Sequence, residues 1–185
     1  PYTFKKLELR SKVSSFAAKY LQVPLIYVNQ IGANDNLIFD GNSFILDKNG
    51  SKIKQLKSFS EDLSSWDIEQ TKPQKNKFEK SEMSSIFDAL VLGVRDYAQK
   101  CGFKTALIGL SGGIDSALVS AIATAALGSN NIYCVSMPSK WSSSHSKSDA
   151  KDLARRLKIN FNSIPIENLM NSFEESFIKT ISFEM

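Results

Sequence analysis

The sequence predicts an α/β protein whose second half is built on a parallel sheet, preceded by a smaller α+β region. Three observations predict it. From residue 105 onward, short apolar runs alternate with helix-like segments of about 10–15 residues, the pattern of βαβ units. Upstream lie one helical pattern and several short strands, separated by turns rich in Gly, Asn and Asp. Between the two, residues 59–80 shift to Ser, Glu, Asp, Gln and Lys around Pro73, the composition of a linker.

In residues 3–21, Phe4, Leu7, Val13, Phe16, Ala17 and Tyr20 form a rough helical stripe. Pro24 then precedes Leu25-Ile26-Tyr27-Val28, which reads as a buried strand. Residues 32–36 have loop chemistry. Leu37-Ile38-Phe39 and Ser43-Phe44-Ile45-Leu46 read as strands on either side of Asp40-Gly41-Asn42. Asn49-Gly50 marks a hairpin turn and supplies its positive φ angles. Asp35 and Asp40 resemble paired carboxylates for acid–base work, but turn chemistry accounts for them more simply.

Beyond the linker the period changes. Met83, Ile86, Phe87, Leu90, Val91, Val94, Tyr97 and Ala98 fall at the spacing of one helix face. Ser85 with Asp88 forms a candidate capping pair, and Gly102 is placed to end the helix. Residues 105–110 read as a buried strand, 116–127 as a helix stopped by Gly128, and 132–137 as a second strand. Residues 146–157 read as a helix and 161–164 as a third strand, with Met185 in or just after another helix. Three strands make part of such a sheet, and the first residue is Pro1 rather than Met. A fragment of a longer protein is therefore expected.

Composition removes several classes. No apolar run reaches the roughly 18–20 residues of a bilayer-spanning helix, and no basic-then-apolar leader is seen, so no membrane partner is expected. The net charge is +4 and the pI about 9.0, yet the lysines are scattered rather than gathered into a stripe with aromatics. No nucleic-acid partner is expected. Cys101 and Cys134 lie far apart without metal-ligand spacing, and Cys134 sits in an apolar run as a small hydrophobe. A reducing, cytoplasmic compartment is expected.

The chemistry concentrates where the strand at 105–110 meets the next helix, at Ser111-Gly112-Gly113-Ile114-Asp115-Ser116. A glycine turn between a strand and a helix start exposes unpaired N–H groups, and the helix dipole favours an anion there. Adjacent glycines let phosphate oxygens approach the backbone. Ser111 and Ser116 add hydroxyl donors at either end. This is neither a Walker A loop, which needs a lysine in the turn, nor the dinucleotide glycine pattern. Asp115 has two readings: a ligand for Mg²⁺ shared with phosphates, or a helix N-cap.

This six-residue loop resembles the pyrophosphate loop of the N-type ATP pyrophosphatases. Downstream, Met137-Pro138-Ser139-Lys140-Trp141-Ser142-Ser143, then His145-Ser146 and Asp149-Ala150, resembles the NAD synthetase segment after the second strand. That family more often has Arg at the place of Lys140 and Tyr at that of Trp141. Leu90-Val91-Leu92-Gly93-Val94-Arg95-Asp96-Tyr97 and Gly102-Phe103-Lys104 are similar to it too. Upstream, Tyr27-Val28-Asn29-Gln30-Ile31-Gly32, Asn34-Asp35 and Phe39-Asp40-Gly41-Asn42-Ser43-Phe44 resemble the late part of a nitrilase-like glutaminase domain. Glutamine-dependent NAD synthetases join these parts in this order.

The resemblance implies a partial Rossmann-like parallel sheet of the ATP-pyrophosphatase type, preceded by the end of an α+β nitrilase-like domain. It implies a glutaminase portion at 1–58, a linker at 59–80 and a synthetase portion at 81–185. The implied reaction is ATP-dependent amidation of deamido-NAD to NAD through an adenylate, with ammonia drawn from glutamine. ATP and Mg²⁺ are the implied cofactors, and deamido-NAD, ATP and glutamine or ammonia the partners, in a homo-oligomer. Gly109, Leu110, Ser111, Gly112, Gly113, Ile114, Asp115 and Ser116 are the implied ATP residues, Asp115 the Mg²⁺ ligand and Lys6 a glutamine contact. The glutaminase triad falls before Pro1, so no catalytic residue of that half lies in this chain, and the fragment alone is expected to be inactive. His145, the single histidine, reads as a surface residue. Alternatives are another adenylating pyrophosphatase, such as a GMP synthetase, or a nucleotide-binding fragment without activity.

Overall fold

A computed structural model describes residues 1–69 and 81–180. Packing divides the chain into two compact units, Pro1–Tyr97 and Ala98–Met185.

In the first unit, α1 (Lys6–Leu21) precedes β1 (Leu25–Tyr27), β2 (Ile31–Asn34), β3 (Leu37–Asp40), β4 (Phe44–Leu46) and β5 (Lys52–Gln55). Strands β1, β4 and β5 form one antiparallel sheet in that order, and β2 and β3 a separate hairpin. The loop expected at 32–36 is mostly strand. Gly32 pairs with Phe39, Ala33 with Ile38 and Asn34 with Leu37, leaving Asp35 (φ 49°) and Asn36 as the turn. Two residues carry the reversal that composition spread over five.

The stripe that α1 buries is not its apolar one. Arg10, Ser14 and Ala18 face inward, whereas Phe16 and Tyr20 are 72% and 79% exposed. Small side chains let the helix approach β1 and β4 closely, and Ala18 seats against Phe44, Leu46, Leu25 and Tyr27. Gly50 (φ 73°) closes the turn between β4 and β5, and a Cβ there would collide with Ser15 of α1. Asn49 does not share the positive φ expected of it. Instead Asp47 accepts from the amides of Asn49 (2.9 Å) and Ser51 (2.8 Å), shaping the turn with its side chain.

The helix α2 (Glu82–Cys101) starts in the first unit and makes its final turn in the second. Its start is tied by Ser81, whose hydroxyl accepts from the Ser84 amide at 3.2 Å, one turn before the expected Ser85 and Asp88 pair. Ser85 donates back to the Ser81 carbonyl. Phe59, the first residue of the expected linker, packs with Ala89 and Leu92 against Tyr2, Ile31 and Ile38. Most of the remaining expected linker, residues 70–80, lies outside the described residues. Gly102 (φ 74°) ends α2, and the Phe103 amide bonds the Ala98 carbonyl.

The second unit runs β6 (Ala106–Gly109), α3 (Ile114–Leu127), a 3₁₀ turn, β7 (Ile132–Ser136), α4 (Ser144–Leu157), β8 (Asn160–Ser163) and α5 (Glu167–Thr180). The sheet is parallel in the order β6-β7-β8, as the alternating pattern requires. Right-handed crossovers stepping in one direction put α3 and α4 on the same face. There Leu110, Ala123, Ile132, Cys134, Ala150, Ala154 and Ile159 form the core. Burial pushes the Cys134 thiol up from its ordinary range, with a Ser120 hydrogen bond opposing. Strand β6 packs Ala106 and Ile108, partly buried, on that face. Leu107, on the other, is 75% exposed beside its partner Tyr133. Among the described residues no helix is long and apolar enough to cross a membrane.

Candidate functional site

Strand β6 ends at Gly109, and the Leu110 amide continues the pairing by donating to the Val135 carbonyl at 2.9 Å. The chain then turns through Gly112 (φ 88°) and Gly113 into α3. The helix begins two residues earlier than the sequence suggested, with Gly113 as its N-cap and no side-chain cap. Asp115 therefore sits inside the first turn, and the N-cap reading of it is corrected. The amides of Ile114, Asp115 and Ser116 head the helix without intrahelical acceptors, as the geometry of any α-helix start dictates. With no side chain covering them, they face the carboxyl edge of the sheet, where open α/β sheets take ligands.

The two serines, expected as hydroxyl donors at either end of the turn, are bonded within it. Their hydroxyls lie 3.1 Å apart, and Ser116 Oγ also donates to the Gly113 carbonyl at 2.9 Å. The Gly113 amide donates to Ser111 Oγ at 3.2 Å, and the Ser111 amide to Ser116 Oγ at 3.3 Å. The hydroxyls thus brace the turn from inside, leaving backbone amides to meet an anion. Of the eight residues expected to bind nucleotide, Gly109, Leu110 and Ser111 line a cavity of about 220 Å³, and Gly112 to Ser116 form the adjoining turn. Leu110 as a whole is only 1% exposed, and its amide is already bonded to Val135, so it serves as the floor of the cavity.

The opposite wall comes from β7 and from the approach to α4: Ser136, Met137, Pro138, Ser142, Ser146 and Lys147. None of these was singled out from the sequence as a phosphate contact. The signals available were the family resemblance over 137–146 and the Ser-rich run at 142–148. Ser143 caps α4, accepting from the Ser146 amide at 3.0 Å. His145 is exposed, as expected. Lys140 pairs with Glu174 at 3.7 Å and lies over the Trp141 ring, outside the cavity wall.

Gly112 locks the turn to α4. A Cβ there would overlap the Ser146 carbonyl oxygen and come within 2.9 Å of the Ser146 Cα. Gly128 has a similar φ of 86°, but a Cβ on it would meet nothing within 4 Å. Gly128→Ala thus measures backbone strain alone, on the order of 1–3 kcal/mol. Gly112→Ala is expected to destabilise by a further 1–3 kcal/mol or so, the usual range for forced overpacking. Thermal melting of both variants checks this, and equal losses would show that the contact with Ser146 yields freely.

Asp115 is exposed and stands as a lone carboxylate. Among the described residues no group of three or more His, Cys, Asp or Glu side chains is placed to hold a metal. Asp115 alone would offer a magnesium ion one carboxylate, and such an ion would need its other oxygen ligands from outside the chain.

In the first unit, the sequence missed a polar hub. Asp40 is 1% exposed, and its Oδ1 accepts from Arg10 Nη1 at 2.9 Å and Asn29 Nδ2 at 3.2 Å. Its Oδ2 accepts from Asn42 Nδ2 at 2.7 Å, so turn chemistry is not the account of Asp40. Asp35, by contrast, does occupy the β2–β3 turn. A cleft of about 610 Å³ borders the hub, lined by residues that include Tyr2, Glu8, Asn42 and Gln55. Lys6, half-buried in the first turn of α1, is not among its lining residues.

Residues 86–185 match a family described as NAD synthase. The chain is 45% identical over 183 residues to a glutamine-dependent NAD(+) synthetase of Synechocystis sp., covering 96% of this chain and 33% of that protein. It is 40% identical over 180 residues to the Acinetobacter baylyi protein of the same description, covering 95% of this chain and 33% of that protein. A solved glutamine-dependent NAD+ synthetase from Acinetobacter baumannii, in complex with ADP, superposes with a TM-score of 0.90 at 36% identity. That match covers 100% of this chain and 36% of the other. The chain spans about a third of the length of these relatives.

Proposed function

The chain belongs to the NAD synthase family, and from that premise we propose that it is part of a glutamine-dependent NAD synthetase. In that reading residues 81–185 open the synthetase domain, 59–80 form the linker and 1–58 close a nitrilase-like glutaminase domain. The observation that carries the proposal is the uncapped start of α3 at the sheet's carboxyl edge, beside a cavity with no carboxylate in its wall. Such a place stabilises negative charge.

The proposed reaction joins the carboxylate of deamido-NAD to the α-phosphorus of ATP, releasing pyrophosphate. Ammonia then attacks the acyl carbon of the adenylate, and AMP departs. Negative charge gathers on the β- and γ-phosphates as the first bond breaks. Amides fixed at the head of α3 stabilise that charge without reorganising. Ser111 and Ser116 keep those amides aimed by bracing the turn, and Gly112 and Gly113 leave the backbone bare. Asp115 would hold Mg²⁺ against the phosphates, where the ion neutralises charge. Ammonia would come from glutamine through the upstream domain, with Lys6 as a glutamine contact on the strength of the resemblance. Homo-oligomeric assembly and a cytoplasmic location belong to the same proposal. The free thiols of Cys101 and Cys134 are compatible with a reducing compartment.

The test uses the whole protein with ATP, deamido-NAD and ammonia. NAD and pyrophosphate are expected in equal amounts. Turnover with xanthosine monophosphate instead would establish the GMP synthetase alternative, and ATP binding without turnover would leave a nucleotide-binding module.

A further inference from the structure

We propose that Lys147 is a further binding residue for the phosphate chain of ATP, supplying the cation that the loop at 111–116 lacks. This rests on the functional reading above and deepens it. Lys147 lines the cavity whose other wall is Gly109, Leu110 and Ser111. It is the one charged side chain in that lining, among four serine hydroxyls at 111, 136, 142 and 146. Nothing in the wall neutralises it, and among the described residues no carboxylate forms an ion pair with it.

Of the other cations on or just before α4, Lys151 lies one turn further along and outside the cavity lining, and three are engaged elsewhere. Lys140 pairs with Glu174, and Arg155 and Arg156 pair with Asp152 at the far end of α4. Those two arginines stand where the helix dipole favours positive charge. Lys147 stands where it does not. Its amide makes the bond that opens α4, to the Ser143 carbonyl at 3.3 Å, and the first turn of that helix carries no acid. A lysine there is electrostatically costly when the cavity is empty and favourable once a polyanion enters it. A nucleotide triphosphate stays net negative with one divalent cation bound, and Asp115 adds a further negative charge alongside. A mobile ammonium across the cavity balances both.

The position of the lysine is fixed as well. The neighbouring Ser146 backbone abuts Gly112 with no room for a Cβ, so the start of α4 cannot drift from the turn. Lysine acts here as a point charge on a flexible stem, able to follow phosphates that move apart as a bond breaks.

The experiment compares Lys147→Met and Lys147→Arg with the parent in the whole protein. ATP affinity is read by calorimetry, and KM for ATP with ammonia supplied. Lys147→Met is expected to weaken ATP binding and raise KM about tenfold, the usual scale for one charge-assisted bond. The melting temperature should not fall, and Lys147→Arg should restore most of the loss. Unchanged affinity and KM in the methionine variant would overturn the proposal, as would a loss that merely tracks a lowered melting temperature. The two readings separate cleanly. A parent that binds ATP in a Lys147-dependent way but forms no NAD defeats the functional reading alone. A parent that forms NAD with an indifferent Lys147 defeats this proposal alone, and one that binds no ATP defeats both.

Discussion

Asp115→Asn in the whole protein, supplied with ammonia, is expected to leave the fold intact and cut pyrophosphate release by orders of magnitude. Asp115 is exposed in the first turn of α3, and the capping position belongs to Gly113. Folding therefore loses only one carboxylate near a helix start, worth about 0.3–1 kcal/mol. Asparagine preserves the shape and removes the charge. If that charge helps hold Mg²⁺ on the departing phosphates, each ~1.4 kcal/mol of lost transition-state stabilisation slows the step tenfold. The measurement is pyrophosphate release across a Mg²⁺ titration, with thermal melting in parallel. Extra Mg²⁺ should rescue part of the rate. Near-parental release at every Mg²⁺ concentration would remove Asp115 from the metal site.

The second large effect is on stability. Asp40→Ala strands Arg10, whose side chain is 8% exposed, without its carboxylate. It also takes the acceptor from Asn29 and Asn42. Removing one member of a buried ion pair costs about 3–5 kcal/mol, most of it from the charge left behind. Urea unfolding of the whole protein should show the transition of the first unit shifted by that amount. Replacing both members, Arg10→Met with Asp40→Leu, should recover a good part, because no orphan charge remains. The Arg10 guanidinium also bonds the Pro1 carbonyl at 2.9 Å, so recovery will be incomplete. An Asp40→Ala variant that unfolds with the parent would mean that water reaches Arg10 readily.

The second unit was the more legible half. Its strands are separated by single helices of 14 residues, about four turns each, so local periodicity sufficed to place β6, α3, β7, α4 and β8 within a residue or two. The paired glycines were read as a bare backbone turn, and the structure adds that Gly112 takes a positive φ of 88°. What stayed hidden there depends on the third dimension: the wall formed by Ser142, Ser146 and Lys147 is about thirty residues from the loop it faces, roughly one βαβ unit. The first unit was harder to read. Its hydrophobic stripe on α1 points outward, while an arginine, a serine and an alanine make the packing face. Only Arg10 on that side answers the buried carboxylate of Asp40, a pairing across thirty residues that local periodicity does not carry. Asp40 looked like a turn residue since Gly41 and Asn42 follow it. Both do take positive φ, at 63° and 55°, but that turn serves to aim Asn42 back at the carboxylate.

The close approach of Gly112 to Ser146 has a consequence for how this site can change over evolutionary time. Two segments that touch through hydrogen alone share one fate: any side chain at 112 forces the start of α4 to move, and moving it displaces the cavity wall. Drift at either position is therefore not independent of the other, and divergence in ligand preference must be sought on the wall rather than in the turn. The entropy of arranging the amides is likewise lost once, during folding, instead of at every encounter with nucleotide. On the proposed reading, such a mould would accept new substrates by altering what is attached to the phosphates while holding the phosphates in the same way.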